Sequence, residues 1–291
     1  MREVVVLSGK GGSGKTSLVG VFAALAEKKV LCDADVDASD LHLILDPVVA
    51  SREDFQSGHS AVIDPDKCVQ CGQCRELCQW DAISEDFVVD SLECEGCGVC
   101  YHLCPEQAVL FPVNTCGEWY ISETRFGPLV HARLKAAEEN SGKLVAHVRQ
   151  RARSLAEEKG LELIITDGPP GIGCPVIASM GGATAVVVVT EPTVSGAHDM
   201  ERVLRLVDHF KIPALVLINK ADLNPDMADS IERDVNRSAA KFLGRIPFDR
   251  AFTEAMVKGQ TLVEYDGAAL KDILVDIWRD LHTYLLSLPS S

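Results

Sequence analysis

Apolar residues along the chain follow two rhythms that exchange with each other. Short runs rich in consecutive apolar and β-branched residues (Glu3–Leu7, Val30–Cys32, Leu161–Thr166, Ala185–Thr190, Ala214–Ile218) show no alternation, the pattern of strands buried on both faces. Between them the spacing turns helical, with Leu18, Val19, Phe22, Leu25 and Ala26 inside Lys15–Lys28 and similar stripes over His131–Glu139, Leu144–Glu158 and Ala197–Phe210. This alternation predicts an α/β fold, a mostly parallel sheet with helices on both faces. A last stripe in Ala268–Leu286 (Leu270, Ile273, Leu274, Ile277, Trp278, Leu281, Leu285) predicts a helix packed against the domain. Its polar face carries Lys271, Asp272, Asp276, Arg279 and Asp280, whereas a membrane-surface helix needs Lys and Arg there.

The rhythm breaks between Ala61 and Pro112. No long helix is expected there, only brief strand-like pieces (Ala61–Ile63, Phe87–Val89, Val109–Phe111) around two cysteine runs. Asn114–Val130 reads as a loop-rich connection, after which the α/β pattern resumes. The expected division is therefore 1–60 and 114–291 for one discontinuous α/β domain, with 61–113 as a small α+β insertion. At 291 residues and 47% hydrophobic composition, one large core plus a small module is affordable.

Charge and cysteine usage narrow the function classes. A net charge of −15 disfavours binding nucleic acid through its phosphates. The one compact basic run, Arg149 to Arg153, lies beside Glu157 and Glu158 and reads as a solvated helix face. The apolar stretch Val176–Val189 is too short for a bilayer and is interrupted by Ser179, Gly181 and Gly182, so no membrane insertion is expected. No signal-peptide pattern precedes Gly9, and eight of the eleven cysteines fall in metal-ligand spacing, so a reducing, cytoplasmic setting is expected.

The segment Gly9-Lys10-Gly11-Gly12-Ser13-Gly14-Lys15-Thr16-Ser17 follows one predicted strand and opens one predicted helix, the context a phosphate-binding loop requires. Backbone N–H groups and the positive helix end cradle phosphates in such loops, and glycines allow the close approach. Lys15 is expected at the β- and γ-phosphates, and the Thr16 hydroxyl at Mg²⁺. Lys10 is an additional cation. With it the loop resembles the deviant Walker loop of the MinD/Mrp/ParA and nitrogenase iron protein ATPases. The resemblance implies that Lys10 reaches the nucleotide of a second subunit, making turnover depend on a homodimer or a heterodimer with a related ATPase. It implies further that Asp35, with Asp37 as its rival, positions the attacking water. Asp167, in Asp167-Gly-Pro-Pro-Gly-Ile-Gly173, would hold Mg²⁺. Asn219 and Asp222 would contact adenine, with Pro247 in the segment that closes over the base.

Cys68, Cys71, Cys74 and Cys78, then Cys94, Cys97, Cys100 and Cys104, repeat the spacing C-x2-C-x2-C-x3-C, and Pro105 follows the second run. That resembles bacterial two-cluster ferredoxins. The resemblance implies crossed ligation of two 4Fe–4S clusters, one by Cys68, Cys71, Cys74 and Cys104, the other by Cys94, Cys97, Cys100 and Cys78. Paired C-x2-C motifs also make zinc sites, which is the competing reading. Gln79 stands where the ferredoxin pattern has a second proline. Cys32 reads as core, and Cys174 with Cys116 as a possible further metal site between subunits or as ordinary thiols. The expected function is thus a dimeric Mg²⁺-dependent ATPase whose nucleotide cycle is coupled to a ferredoxin module, acting on a redox or metal-cluster protein. A cluster carrier with ATP controlling release, and a MinD-like positioning ATPase, are the alternatives.

Overall fold

The computed structural model describes residues 1–135, 141–265 and 270–289. Among these, the buried runs form β1 (Arg2–Ser8), β2 (Lys29–Asp33), β8 (Leu163–Pro170), β9 (Ala185–Thr190) and β10 (Ala214–Asn219), and the more exposed β11 (Lys241–Ile246) joins them, every observed pairing among them parallel. The helices α1 (Lys15–Leu25), α5 (Ser141–Lys159), α6 (Cys174–Met180), α7 (Val194–His209), α8 (Pro225–Asn236), α9 (Ala251–Val257) and α10 (Lys271–Ser287) cover them. Strand periodicity sorts side chains between two cores. Val4, Val6, Leu31, Ile165, Val187 and Leu217 face one core with α1 and α10, where Phe22 meets Trp278 at 5.4 Å. Val5, Leu7, Val186, Val188, Val216 and Ile218 face the other, under α6, α7 and α8. The C-terminal stripe packs inward through Leu274, Ile277, Trp278, Leu281 and Leu285, while Ile273, expected on that stripe, is 38% exposed.

The sheet extends beyond the expected strands. Short α2 (Leu41–Leu45) leads into β3 (Val48–His59), and β6 (Val113–Thr124) and β7 (Gly127–Leu134) follow later in the chain, giving the order β11-β10-β9-β1-β8-β2-β7-β6-β3. Two expectations are corrected here. Asn114–Val130 is not loop-rich: it forms most of β6 and β7, joined through the two residues Arg125 and Phe126. Residues 131–134 belong to β7 and not to a helix, because His131 stacks on Tyr120 (4.9 Å) and bonds Ser122 (2.8 Å) across the hairpin. The rest of that predicted helix, 136–139, lies outside the described residues. The edge strand β3 is polar and mostly exposed, with Arg52, Glu53 and Asp54 on it, as edges that avoid further pairing are.

The basic run is also corrected. Arg149 is buried and pairs with the buried Glu3 (Nη2–Oε2 2.8 Å), and Arg153 reaches the same carboxylate (2.7 Å). Arg151, paired with Glu158, and the outer part of Arg153 reach solvent, at 29% and 38% exposed.

The chain divides into two compact units: Met1–Arg52, Trp119–Arg133 and Ser141–Ser291 form the first, Glu53–Glu118 and Leu134–Asn140 the second. The second unit contains the antiparallel pair β4 (Val62–Ile63) and β5 (Val109–Leu110) and two short helices packed on each other, α3 (Gln73–Leu77) and α4 (Val99–Leu103). Its backbone repeats itself. Positive φ occurs at Gln70, Gly72 and Asp81, and again at the equivalent Gly96, Gly98 and Gln107. The turns Cys68 N–H to Asp64 O and Cys94 N–H to Asp90 O also correspond, at 3.0 and 3.1 Å.

Candidate functional site

At the carboxyl ends of the central strands the loop of residues 9–14 joins β1 to α1. Gly12 and Gly14 have φ of 81° and 89°, the left-handed region that glycine tolerates. A Cβ on Gly11 or Gly12 would meet nothing within 4 Å, so the loop faces open space there. A Cβ on Gly9 or Gly14 would instead come within 2.3 Å of Asp199 Cβ or Asn219 Nδ2. The loop is therefore seated by α7 on one side and by the end of β10 on the other. The α1 N-cap, Gly14, offers no side-chain acceptor to the first-turn amides.

Lys15 is buried between carboxylates. Its Nζ lies 2.5 Å from Asp167 Oδ1 and 3.4 Å from Asp35 Oδ2. Burial opposes the charge of Lys15, but Asp167 and Asp35 outweigh it and hold its pKa above the usual value. Burial raises the Asp35 carboxyl, against the pull of Lys15. Asp37, its rival in the sequence, is exposed. Asp33, which the sequence reading left without a role, is buried in the same cluster and accepts from Ser39 Oγ at 2.7 Å. Burial and the charge of Asp167 push its pKa up to about 7. Asp33, Asp35 and Asp167 thus gather around the one ammonium of Lys15. Asp167 Oδ2 and Ser13 Oγ are both buried without a hydrogen-bond partner, so the carboxylate oxygen can meet a cation and the hydroxyl a phosphate oxygen.

Asn219 donates from Nδ2 to Ser13 O (2.9 Å), and Asp222 Oδ1 accepts from Phe248 N–H (2.5 Å). Asn219, Asp222 and Pro247 are thus brought to one rim beside the loop. Lys10 is held within its own chain, with Nζ 3.5 Å from Glu191 Oε2 and 3.4 Å from Ser195 Oγ. Lys220 also donates to Glu191, and to Gly12 O at 3.2 Å. Sequence reading passed over Glu191 and Lys220. The available signal was Glu191 closing an apolar strand, as Asp167 does.

In the second unit, two small pockets divide the eight cysteines. Cys68, Cys71, Cys74 and Cys104 line one; Cys78, Cys94, Cys97 and Cys100 line the other. The remaining lining is largely apolar, with Ile63, Phe87 and Val109 in the first and Ile83, Val89 and Phe111 in the second. Ala108 N–H donates to Cys104 Sγ at 3.3 Å, and burial raises the pKa of Cys74 and Cys100. Among the described residues no three His, Cys, Asp or Glu side chains group closely enough for a single metal ion. The unit is anionic: Glu53–Glu118 holds 13 Asp and Glu against two Lys and Arg, which disfavours a nucleic-acid surface there. Cys116 is buried and bonds toward Ser57 O (3.5 Å); Cys174 is exposed at the start of α6; Cys32 is core. Among the described residues no helix is long and apolar enough to cross a membrane.

A nine-stranded, largely parallel sheet with a phosphate loop between its first strand and helix defines the class, a P-loop nucleotide-binding protein. The chain belongs to the CobQ/CobB/MinD/ParA nucleotide binding domain family, whose model matches residues 4–263, and solved MinD and ParA proteins are described as ATPases. It is 34% identical over 227 residues to the uncharacterized protein MJ0578 of Methanocaldococcus jannaschii, covering 76% of this chain and 79% of that one. The septum site-determining protein MinD of Synechocystis is 25% identical over 276 residues, covering 90% and 82%. In fold it is similar to MinD of Pyrococcus horikoshii, solved as a complex with Mg-ADP (TM-score 0.58, 16% identity, 97% and 96% covered).

Proposed function

We propose that the protein is a dimeric, Mg²⁺-dependent ATP hydrolase whose second unit is a two-cluster iron–sulfur module, and that nucleotide state controls electron transfer or metal-cluster assembly through that module. The observation that carries this reading is the division of eight thiols between two apolar cavities in the crossed sets that two-cluster ferredoxins use. Each cavity offers four thiols to a 4Fe–4S cluster, which when bound supplies one-electron chemistry. Backbone amides such as Ala108 N–H and the apolar lining are the protein's means of setting its potential.

At the nucleotide, the loop amides and the α1 N-terminus bind the phosphates. Lys15 exchanges Asp167 for the β- and γ-phosphates, and this frees the Asp167 carboxylate. Asp167 and the Thr16 hydroxyl would hold Mg²⁺, which neutralises charge developing on the phosphates. Asp35, close to Lys15, orients the attacking water. Lys10 of one subunit serves the γ-phosphate bound by the other. Asn219, Asp222 and Pro247 shape the adenine rim. Such thiols need a reducing compartment, and the cytoplasm supplies it. The acidic second unit suits a redox or metal-cluster protein with a basic face.

The test is the anaerobically prepared protein. About eight iron and eight acid-labile sulfide per chain are expected, as two four-iron clusters require. Cys104→Ser should damage the cluster held mainly by the first run, and Cys78→Ser the other. Zinc in place of iron would overturn the reading. A second reading, a positioning ATPase with structural clusters, is supported by the MinD-named relatives. It requires ATP-dependent localisation that survives replacement of the cysteines. A cluster carrier would instead hand iron to an acceptor protein when ATP is added.

A further inference from the structure

The residue that follows strand β9, Glu191, is a carboxylate that phosphate binding does not need. Glu191 stands beside a loop built for anions, where its charge repels them. Its placement is nevertheless well determined. Its carbonyl accepts from Thr193 N–H at 2.8 Å, and a Cβ on Gly196 would lie only 2.4 Å from that oxygen. Thr190 Oγ1 ties Gly196 O at 2.9 Å, fixing the turn into α7. From this turn the side chain, 14% exposed, pairs with Lys10 through one oxygen and with Lys220 through the other. Lys10 is held from its own side as well, because Ser8 Oγ donates to Lys10 O at 2.8 Å and Ser195 Oγ takes a further bond from Nζ.

We propose that Glu191 is a positioning residue: it seats Lys10 within its own chain, so that dimerisation must displace Lys10 from it. This rests on the reading of Lys10 as the lysine offered to the partner's nucleotide. A twofold dimer breaks two Lys10–Glu191 pairs, and each is partly solvated, since Lys10 is 38% exposed. At the usual worth of such pairs, Glu191→Gln tightens the ATP-dependent dimer roughly 2- to 30-fold. Ser195→Ala, which removes the weaker of the two seats, shifts it in the same direction by less.

The experiment is sedimentation equilibrium of the anaerobic full chain with Mg²⁺ and a non-hydrolysable ATP analogue. It compares wild type, Glu191→Gln, Ser195→Ala, Lys10→Ala and the Lys10→Ala/Glu191→Gln double variant. The expected result is a lower dimer dissociation constant for Glu191→Gln that disappears in the Lys10→Ala background. A purely structural Glu191 would act equally with or without Lys10. An unchanged or weaker dimer for Glu191→Gln, or the same shift in both backgrounds, overturns the proposal and leaves the dimeric ATPase standing. Wild type and all variants remaining monomeric with the analogue would instead overturn the dimer reading, and this inference with it.

Discussion

Glu3→Ala tests how the first unit holds its nucleotide end in register. Glu3 is 2% and Arg149 6% exposed, so the pair is out of water. Glu3 Oε1 accepts from Arg149 Nε (2.8 Å) and Thr166 Oγ1 (3.1 Å); Oε2 accepts from Arg153 Nε (3.0 Å) and Nη2 (2.7 Å). Arg149 Nη1 then donates to Ala178 O (2.6 Å) and Gly181 O (3.1 Å), the orphan carbonyls at the end of α6. Truncating Glu3 leaves Arg149 buried without its counter-ion, a loss of about 3–5 kcal/mol. For a domain of this size that lowers the melting temperature by roughly 6–20 °C.

Thermal unfolding followed by circular dichroism measures this directly. The double replacement Glu3→Met/Arg149→Met should recover much of the loss, because an apolar pair has no desolvation cost to offset. The same network steadies α6, which follows directly on the Asp167–Gly173 segment, so Glu3→Ala should also weaken ATP binding before it unfolds the protein. A melting temperature within about 2 °C of wild type would refute the idea that this buried pair is held by mutual compensation. A double variant no better than the single one would refute the account of the penalty.

Lys10→Ala should retain ATP binding, since Lys15 and the loop amides remain. It should lose about 100- to 1000-fold in steady-state turnover, the usual cost of removing one preorganised charge at a developing anion. Full activity as a monomer would sink the trans-lysine assignment. Burial, with a smaller contribution from His42, lowers the His131 pKa to about 4 from 6.5. The unfolded chain therefore binds more protons between those values, and the stability linked to His131 is complete above pH 6.5 and lost as pH falls toward 4. At about 1.36 kcal/mol per unit this is up to roughly 3 kcal/mol. His131→Gln should flatten that part of the urea-midpoint profile, and an unchanged acid slope would count against it.

How far the sequence reveals this molecule depends on which residues carry the signal. Residues 163–166, 185–190 and 214–218 are legible because strands buried on both faces have nothing polar to interrupt them, and Asp167 and Asn219 mark their carboxyl ends. The phosphate loop is legible because its glycines and Lys15 have few other uses at that spacing. Strands β3, β6 and β7 escape the same reading because they are mixed. Residues 113–124 bury Cys116, Trp119 and Ser122 yet expose Val113 and Glu123, so no apolar run announces them. Arg149 looks solvated until Glu3, far away in sequence, is placed beside it. Glu191 and Asp33 are single carboxylates whose meaning comes entirely from the lysines that the fold brings near them. Pairwise charge contacts between distant segments leave no periodic trace.

The chain's course bears on coupling. Asp35 lies two residues beyond β2, and the segment that follows it runs through α2 and β3 into the second unit. The return is through β6, whose residues from Trp119 onward belong to the first unit again. A nucleotide-dependent change at Asp35 therefore has a covalent path of less than twenty residues to the cysteine-bearing unit, with α2 within it. Linkage makes the consequence reciprocal: whatever factor ATP imposes on cluster potential, reduction must impose on ATP affinity. Coupling of this kind is commonly about 1–3 kcal/mol, a 5- to 150-fold change in affinity. Titrating a non-hydrolysable ATP analogue against oxidised and dithionite-reduced protein measures one side. Potentiometry with and without the analogue measures the other. Equal factors from the two experiments are the expected outcome. Identical affinities together with identical potentials would refute a direct link, and the weight would pass to the carrier function, in which ATP acts on release and not on the electron.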